Sequence, residues 1–181
     1  MNRNIDFYFD FISPYAFIAH KKIEKLLINK DIIFNYIPIL LGGLHKLAGI
    51  SAPAFNKLKM INMKNDCDLV SKKNDINFKW NDKFPINSLY IMRGYLLVNK
   101  DLRKEYISKF FNAYWVTNED LSKEENINSI LDQLNINHKF FLDGIKSEEI
   151  KDQLKQSTNS AFNKEIFGAP TFVVNNKIFW G

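Results

Sequence analysis

Strand patterns occur near the two ends of this chain, and a long stretch of helical patterns separates them. Residues 5–11 alternate aromatic and acidic positions and end in an apolar run, which predicts a central, largely buried strand. Residues 32–38 predict a second strand that ends at a proline. Residues 171–174 and 177–180, separated by Asn175-Asn176, predict a hairpin. Strands so far apart in sequence are expected to share one sheet, with the helical block beside it.

A first helix is expected directly after the first strand. Ser13 would cap this helix, and Pro14 would occupy its first turn, where proline is tolerated. The helix is expected to reach about Ile28, with a turn at residues 29–31. The residues expected to face inward are Ala16, Phe17, Ile23, Leu26 and Leu27. Further helical spacing occurs near residues 54–75, 88–99, 101–115, 123–134, 138–143 and 147–164.

The composition limits the class of protein. A length of 181 residues with 46% hydrophobic residues suffices for one compact domain with an insertion. The formal charge of +5 comes mostly from scattered lysines. No basic stretch alternates with stacking aromatic residues, as a nucleic-acid groove requires. We therefore expect a small anionic ligand and no nucleic-acid partner.

Metal, disulfide and membrane chemistry find little support in the sequence. Cys67 is the only cysteine, so an internal disulfide and a cysteine metal site are excluded. We expect the Cys67 side chain to be partly buried. The three histidines show no ligand spacing, and His20 and His45 are expected on the surface or in loops. No apolar run approaches the roughly 20 residues of a membrane span, so no membrane partner is expected. The N-terminus has no signal-peptide pattern, which favours a cytoplasmic location.

The tripeptide Ser13-Pro14-Tyr15 marks the turn between the first strand and the first helix. Such a turn can direct a hydroxyl and a helix N-terminus at one bound anion. Taken alone, the tripeptide is most often only a helix cap. A second segment, residues 167–172 with the sequence Phe-Gly-Ala-Pro-Thr-Phe, can complete the same site.

An ordered set of motifs along the chain resembles one enzyme family. Besides the two segments above, the matching residues are Leu40-Leu41-Gly42-Gly43, Pro53, the stretch from Lys59 to Asp66, Phe84-Pro85, Ala113-Tyr114-Trp115 and Phe179-Trp180-Gly181. They are similar to 2-hydroxychromene-2-carboxylate isomerases, which are relatives of the kappa-class glutathione transferases. The resemblance implies an α/β fold with a thioredoxin-like (DsbA-like) sheet and a large all-helical insertion. Residues 1–40 and 165–181 would form the thioredoxin-like domain, and residues 41–164 would form the insertion.

The resemblance implies glutathione as the cofactor. Ser13 and Ala16 stand where a disulfide oxidoreductase has its two cysteines, so redox exchange is excluded at this place. Ser13 would instead donate a hydrogen bond to the glutathione thiolate. Pro170 would be a cis-proline, and Ala169 would pair through its backbone with the cysteinyl part of glutathione.

Two charged residues are candidates for the same site. Lys59 and Asp66 are seven residues apart and share a face of a helix. Their spacing alone predicts only a solvated face. The resemblance places both at the glutathione site, where Lys59 would meet a carboxylate.

The activity implied is cis/trans isomerisation through reversible thiolate addition, on a small aromatic or conjugated acid of aromatic catabolism. A homodimer is also expected. One alternative is a kappa-like glutathione S-transferase, in which the thiolate stays attached to an electrophile. Another is a glutathione-binding protein with weakened catalysis.

Two departures from the family pattern favour the weakened alternative. Ile50 follows Gly49 where the family usually has a glutathione-binding Asn. The sequence stops at Gly181, before the family's Asp-Arg pair and final helix. A real end there would leave an apolar face of the sheet exposed, which soluble domains avoid, so we expect a shortened chain or a disordered tail.

Overall fold

A computed structural model describes residues 3–27 and 32–181. The predicted end of the first helix near Ile28 and the predicted turn at residues 29–31 lie outside these residues. In the described part of the chain, four strands form one sheet: β1 (Arg3–Phe9), β2 (Ile32–Pro38), β3 (Thr171–Val174) and β4 (Lys177–Trp180). Their spatial order is β2-β1-β3-β4. β1 is parallel to β2, and the other two pairs are antiparallel. The predicted sheet, built from both ends of the chain, is confirmed.

Strand β1 is an inner strand of the sheet, and its second half is buried on both faces. The rings of Phe7 and Phe9 belong to the larger hydrophobic core, whereas Tyr8 points to the opposite face and packs with Ile39 and Leu44. This division follows from the two-residue period of a strand. The strand ends two residues earlier than predicted, because the chain turns and the Ser13 N–H donates to the Asp10 carbonyl at 3.1 Å.

Eight α-helices occur in the described residues. They are α1 (Pro14–Leu27), α2 (Leu41–Ala48), α3 (Lys57–Lys73), α4 (Leu89–Leu97), α5 (Arg103–Trp115), α6 (Glu124–Gln133), α7 (His138–Gly144) and α8 (Glu148–Asn163). The six helical segments predicted after the second strand are confirmed as α3 to α8, with small differences at their ends. Short 3-10 turns precede α3 and α5, at Pro53–Phe55 and Lys100–Leu102.

The sequence prediction was wrong in two details of the helices. Helix α2 was missed, because it is only eight residues long and contains Gly42 and Gly43, which disfavour helix. Leu26 and Leu27 were expected to face inward but are 42% and 40% exposed. The last turn of α1 extends beyond the packed core, so helical spacing alone misplaced them.

The sheet and the helical block share one hydrophobic core. Phe11 follows β1, and its ring lies 4.9 Å from the ring of Phe111 in α5. Trp115 is fully buried and donates its indole N–H to the Phe11 carbonyl at 2.9 Å. Tyr114 and Trp115 are therefore core residues. The division into domains at residues 40 and 165 stays a prediction.

The C-terminal hairpin has the predicted turn and an exposed outer strand. Asn175 and Asn176 both have positive φ, 49° and 60°, as a tight two-residue hairpin turn requires. The edge strand β4 carries exposed aromatic residues, since Phe179 and Trp180 are 55% and 62% exposed. Among the helices of the described residues, none is long and apolar enough to cross a membrane.

Candidate active site

Ser13 caps α1 and also joins it to the distant segment before β3. Its hydroxyl oxygen accepts from the Ala16 N–H at 3.1 Å, as an N-cap does. The same hydroxyl donates to the Ala169 carbonyl oxygen at 2.8 Å. Ser13 is only 3% exposed. The cap predicted from the sequence and the predicted meeting of the two segments are both confirmed.

The Ala169–Pro170 peptide bond is cis, as the sequence predicted. The preceding glycine packs closely against Trp180, because a Cβ at Gly168 would lie 2.6 Å from the indole nitrogen and the ring would have to shift. The Thr171 hydroxyl donates to the Gly168 carbonyl at 2.7 Å and holds the segment from the other side. The loop is therefore tightly fixed beside Ser13.

A cavity of about 490 Å³ opens in front of Ser13 and Ala169. Its walls are mostly apolar and include Ile12, Leu41, Ile50, Phe55, Met63, Phe84, Pro85, Ile86, Phe167 and Trp180. Its polar lining comprises Ser13, Tyr15, His45, Ser51, Lys59, Asn87 and Ser88. A volume of this order, with few polar groups in apolar walls, is typical of small-molecule sites.

The predicted site residues are only partly brought together. Ser13, Lys59 and Ala169 line the cavity, whereas Pro170 and Asp66 lie outside its lining. The Asp66 carboxylate instead accepts a hydrogen bond from the Tyr15 hydroxyl at 2.8 Å. Asp66 therefore reaches the cavity through the side chain of Tyr15.

Tyr15 was named in the sequence analysis only as part of the Ser13-Pro14-Tyr15 tripeptide, without a role of its own. Its ring lines the cavity and its hydroxyl lies between Asp66 and Cys67. Burial, reinforced by the Asp66 carboxylate, raises the pKa of the Tyr15 phenol well above its ordinary value. Tyr15 is thus a neutral donor held against Asp66. Its position beside Pro14, in the first turn of α1, was a usable signal.

Asp10 is a second missed residue, and it ties together two walls of the cavity. Its carboxylate is fully buried and accepts from the Ile12 N–H at 3.1 Å and from the Leu41 N–H at 2.8 Å. Leu41 begins α2, so the carboxylate also meets the positive end of that helix. Burial nevertheless raises the pKa of Asp10, against the hydrogen bonds from Leu41, Ser88 and Ile12. An acidic residue that ends a buried aromatic strand could have indicated such a role.

His20 is buried inside the protein, so its expected surface position was wrong. It is 2% exposed; its Nδ1 lies 2.8 Å from the Tyr36 hydroxyl, and its Nε2 lies 3.4 Å from the Glu24 carboxylate. Burial lowers the pKa of His20, although Glu24 partly opposes this. The pair Glu24 and His20, four residues apart on one helix, was the overlooked signal. His45 does line the cavity and is half-buried.

A family model for the DSBA-like thioredoxin domain matches residues 4–181. The chain belongs to the DSBA-like thioredoxin family. The 2-hydroxychromene-2-carboxylate isomerase of Sphingobium xenophagum is 22% identical over 183 residues, which cover 100% of this chain and 93% of that enzyme. Glutathione S-transferase kappa 1 of Caenorhabditis elegans is 27% identical over 186 residues, covering 96% of this chain and 81% of the relative.

The fold agrees with that of a solved structure. A structure of a 2-hydroxychromene-2-carboxylate isomerase superposes with a TM-score of 0.89 at 22% identity, covering 98% of this chain and 88% of the other. The thioredoxin-like sheet with its large helical insertion, predicted from the sequence, is therefore confirmed. The relatives carry the names of isomerases and glutathione transferases, which indicates that this DSBA-like protein is an enzyme.

This DSBA-like protein has no cysteine pair for disulfide exchange. Cys67, the only cysteine of the sequence, lies in α3 and is fully buried, more than the partly buried position expected. Burial, with a contribution from Asp66, raises the pKa of its thiol to about 12. A buried neutral thiol is inert as a nucleophile. Chemistry at this site therefore does not use a cysteine of this sequence.

Proposed function

We propose that this protein is a glutathione-dependent isomerase of the 2-hydroxychromene-2-carboxylate isomerase type. The observation that supports this most is the Ser13 hydroxyl at the start of α1, next to the cis Ala169–Pro170 peptide in a largely apolar cavity. The names of the two relatives support the cofactor and the reaction class.

The residues around the cavity fit glutathione by their chemistry. Lys59 is an exposed cation in the cavity lining and suits a carboxylate of the tripeptide. Ala169 offers backbone groups beside the cavity, and Pro170 fixes the chain that presents them. Asp66 is proposed to act through Tyr15, whose side chain it holds. A direct contact of Asp66 with glutathione stays a prediction.

Ser13 is proposed to stabilise the sulfur as a thiolate. Its oxygen already accepts from the Ala16 N–H, which polarises the hydroxyl and strengthens it as a donor. Rotation of the hydroxyl from the Ala169 carbonyl to the sulfur would give a charge-assisted bond near the positive end of α1. A lowering of the thiol pKa by one unit corresponds to about 1.4 kcal/mol.

The chemistry that glutathione supplies when bound is addition of its thiolate to a conjugated carbon, which lets the former double bond rotate before the thiolate is eliminated. The chain contributes an apolar cavity that excludes water and holds the body of an aromatic or conjugated acid. Ser13 itself forms no covalent bond. A homodimer, a cytoplasmic location and a role in aromatic catabolism complete the proposal.

A kappa-like glutathione S-transferase is the second candidate. A hydroxyl that stabilises a thiolate serves transfer as well as isomerisation, and one relative carries that name. A weakened glutathione-binding protein is the third, favoured by Ile50, an apolar residue in the cavity lining.

The three candidates differ in what happens to glutathione. The protein is incubated with 2-hydroxychromene-2-carboxylate or a chlorinated aromatic electrophile, and the remaining free glutathione is measured with the product. An isomerase converts the chromene acid only when glutathione is present and leaves its amount unchanged. A transferase consumes one glutathione for each product. Binding without turnover supports the third candidate, and turnover that needs no glutathione contradicts all three.

A further inference from the structure

A second cavity, of about 550 Å³, lies between helices α2, α4 and α8, on the other side of α2 from the candidate active site. The two cavities share Leu40 and Gly43 in their linings. None of the residues to which the proposed function gives a role lines the second cavity. The further inference therefore does not rest on the proposed function.

The lining of this cavity concentrates positive charge. Lys46, Arg93, Lys151 and Lys155 all line it, and no carboxylate does so among the described residues. Glu148, at the start of α8, pairs with Lys151 at 2.7 Å and neutralises that lysine. Glu148 also interacts with Arg93, whereas Lys46 and Lys155 form no salt bridge among the described residues. Cations that line one cavity favour a bound anion.

Arg93 has unused hydrogen-bonding capacity. One terminal nitrogen of its guanidinium donates to the Ile145 carbonyl across a long 3.4 Å. Its Nε is buried and has no hydrogen-bond partner among the described residues. A guanidinium with free donors is suited to a planar or tetrahedral oxyanion.

The remaining lining is largely apolar. Leu40, Leu47, Leu89 and Leu154 contribute to it, and Leu47 is 45% exposed although it borders the cavity. An inorganic anion would leave these leucine surfaces in contact with water. A ligand with an apolar body would cover them.

We propose that this second cavity binds a small organic dianion with an apolar body, of the phosphate-monoester class. The anionic group meets Lys46, Arg93 and Lys155, and the body covers the leucines. The ligand contacts α2, the helix that also walls the candidate active site.

The probe for the test is 1-naphthyl phosphate, with inorganic phosphate and 1-naphthol as probes that lack the body or the charge. Binding is measured by calorimetry on the wild type, on the Lys46→Gln/Lys155→Gln variant, and on the Lys104→Gln/Lys139→Gln variant. All four lysines are exposed on helices, and only the first two line the cavity. Both double variants lose the same charge, and circular dichroism verifies their folding.

We expect one site per chain, with binding about tenfold weaker in the cavity variant and changed less than about twofold in the control variant. Inorganic phosphate and 1-naphthol should each bind more weakly than the naphthyl phosphate. The proposal is overturned if the wild type does not bind the probe, or if both double variants lose affinity equally. Loss of affinity in Lys59→Gln, with retention in the cavity variant, would place the probe in the first cavity and also overturn it.

Discussion

The Ser13 hydroxyl donates to the Ala169 carbonyl oxygen across 2.8 Å and joins segments 156 residues apart. The Ala16 N–H donates to the same hydroxyl oxygen. One side chain therefore caps α1, holds the loop that contains the cis-proline, and faces the cavity. In the proposed reaction the hydroxyl proton changes acceptor, from the Ala169 carbonyl to the bound sulfur.

Asp10 is expected to contribute strongly to stability. Asp10→Asn keeps the size of the side chain but replaces one carboxylate oxygen by an NH₂ group. One of the two backbone N–H donors, that of Ile12 or that of Leu41, then faces a donor and loses its acceptor. We predict a loss of about 1–3 kcal/mol in the free energy of unfolding, measured by urea denaturation. Asp152→Asn, at an exposed position of α8, is the control and should change stability by less than about 0.5 kcal/mol. Equal effects of the two substitutions would contradict the role of Asp10.

His20 is expected to make stability depend on pH. Burial lowers its folded pKa below the ordinary 6.5, so the unfolded chain takes up a proton first as the pH falls. The contribution of the neutral histidine is therefore present above pH 6.5 and is lost as the pH falls towards the folded pKa.

The free energy of unfolding is measured by urea denaturation between about pH 7 and about pH 5.5. Uptake of one proton limits the slope of this free energy against pH to about 1.4 kcal/mol per pH unit. We predict that His20→Gln flattens this slope. A slope that survives in His20→Gln would assign the pH dependence to other groups.

Lys59 is expected to affect binding but not stability, because it is exposed and lines the cavity. Lys59→Gln should weaken glutathione binding by about threefold to tenfold, measured by calorimetry. Lys57→Gln, two residues earlier on α3 and outside the cavity lining, is the matched control. Equal losses in both variants would indicate a general effect of charge and not a contact.

Ile50 offers a test by gain of function. It lines the cavity and is 40% exposed, so an amide side chain fits there at little cost. Ile50→Asn should tighten glutathione binding by about 1 kcal/mol, or about fivefold, if the amide forms one hydrogen bond. Ile61→Asn, an exposed position of α3 outside the cavity, should leave the affinity unchanged. Weaker or unchanged binding in Ile50→Asn would remove this residue from the glutathione site.

Most of the fold was predictable because the spacing of hydrophobic residues along the chain differs between helices and strands. The strands of residues 32–38, 171–174 and 177–180 were predicted with the bounds that the structure has. Helix α2 was hidden by two glycines, which lower helix propensity without preventing a helix whose first N–H is held by Asp10. The Asp10 contact itself joins residues 31 apart, and nothing in local sequence specifies it.

The candidate site was predictable only in part for a similar reason. Ser13 was predicted as a helix cap from its local turn, whereas the cis bond at Pro170 and the place of Ala169 beside it were implied by the family resemblance. Asp66 was placed directly at the glutathione site, whereas its hydrogen bond to Tyr15 depends on how α1 packs against α3. The second cavity gathers Lys46, Arg93 and Lys155 from three helices, and in the sequence they are scattered charges.

The central claim is that the Ser13 hydroxyl stabilises the thiolate of bound glutathione. Its most direct test is an ultraviolet titration of the bound thiol in the wild type and in Ser13→Ala, combined with turnover at neutral pH. Ser147→Ala is the matched control, because Ser147 caps α8 in the same way, accepting from the Ile150 N–H and donating to the Gly144 carbonyl at 2.8 Å.

Both substitutions should cost about 1 kcal/mol of stability through the lost cap. We predict that only Ser13→Ala raises the pKa of the bound thiol, by about one unit, and lowers kcat/KM by about tenfold or more. A thiol pKa and a turnover that are the same in Ser13→Ala and in the wild type would contradict the claim.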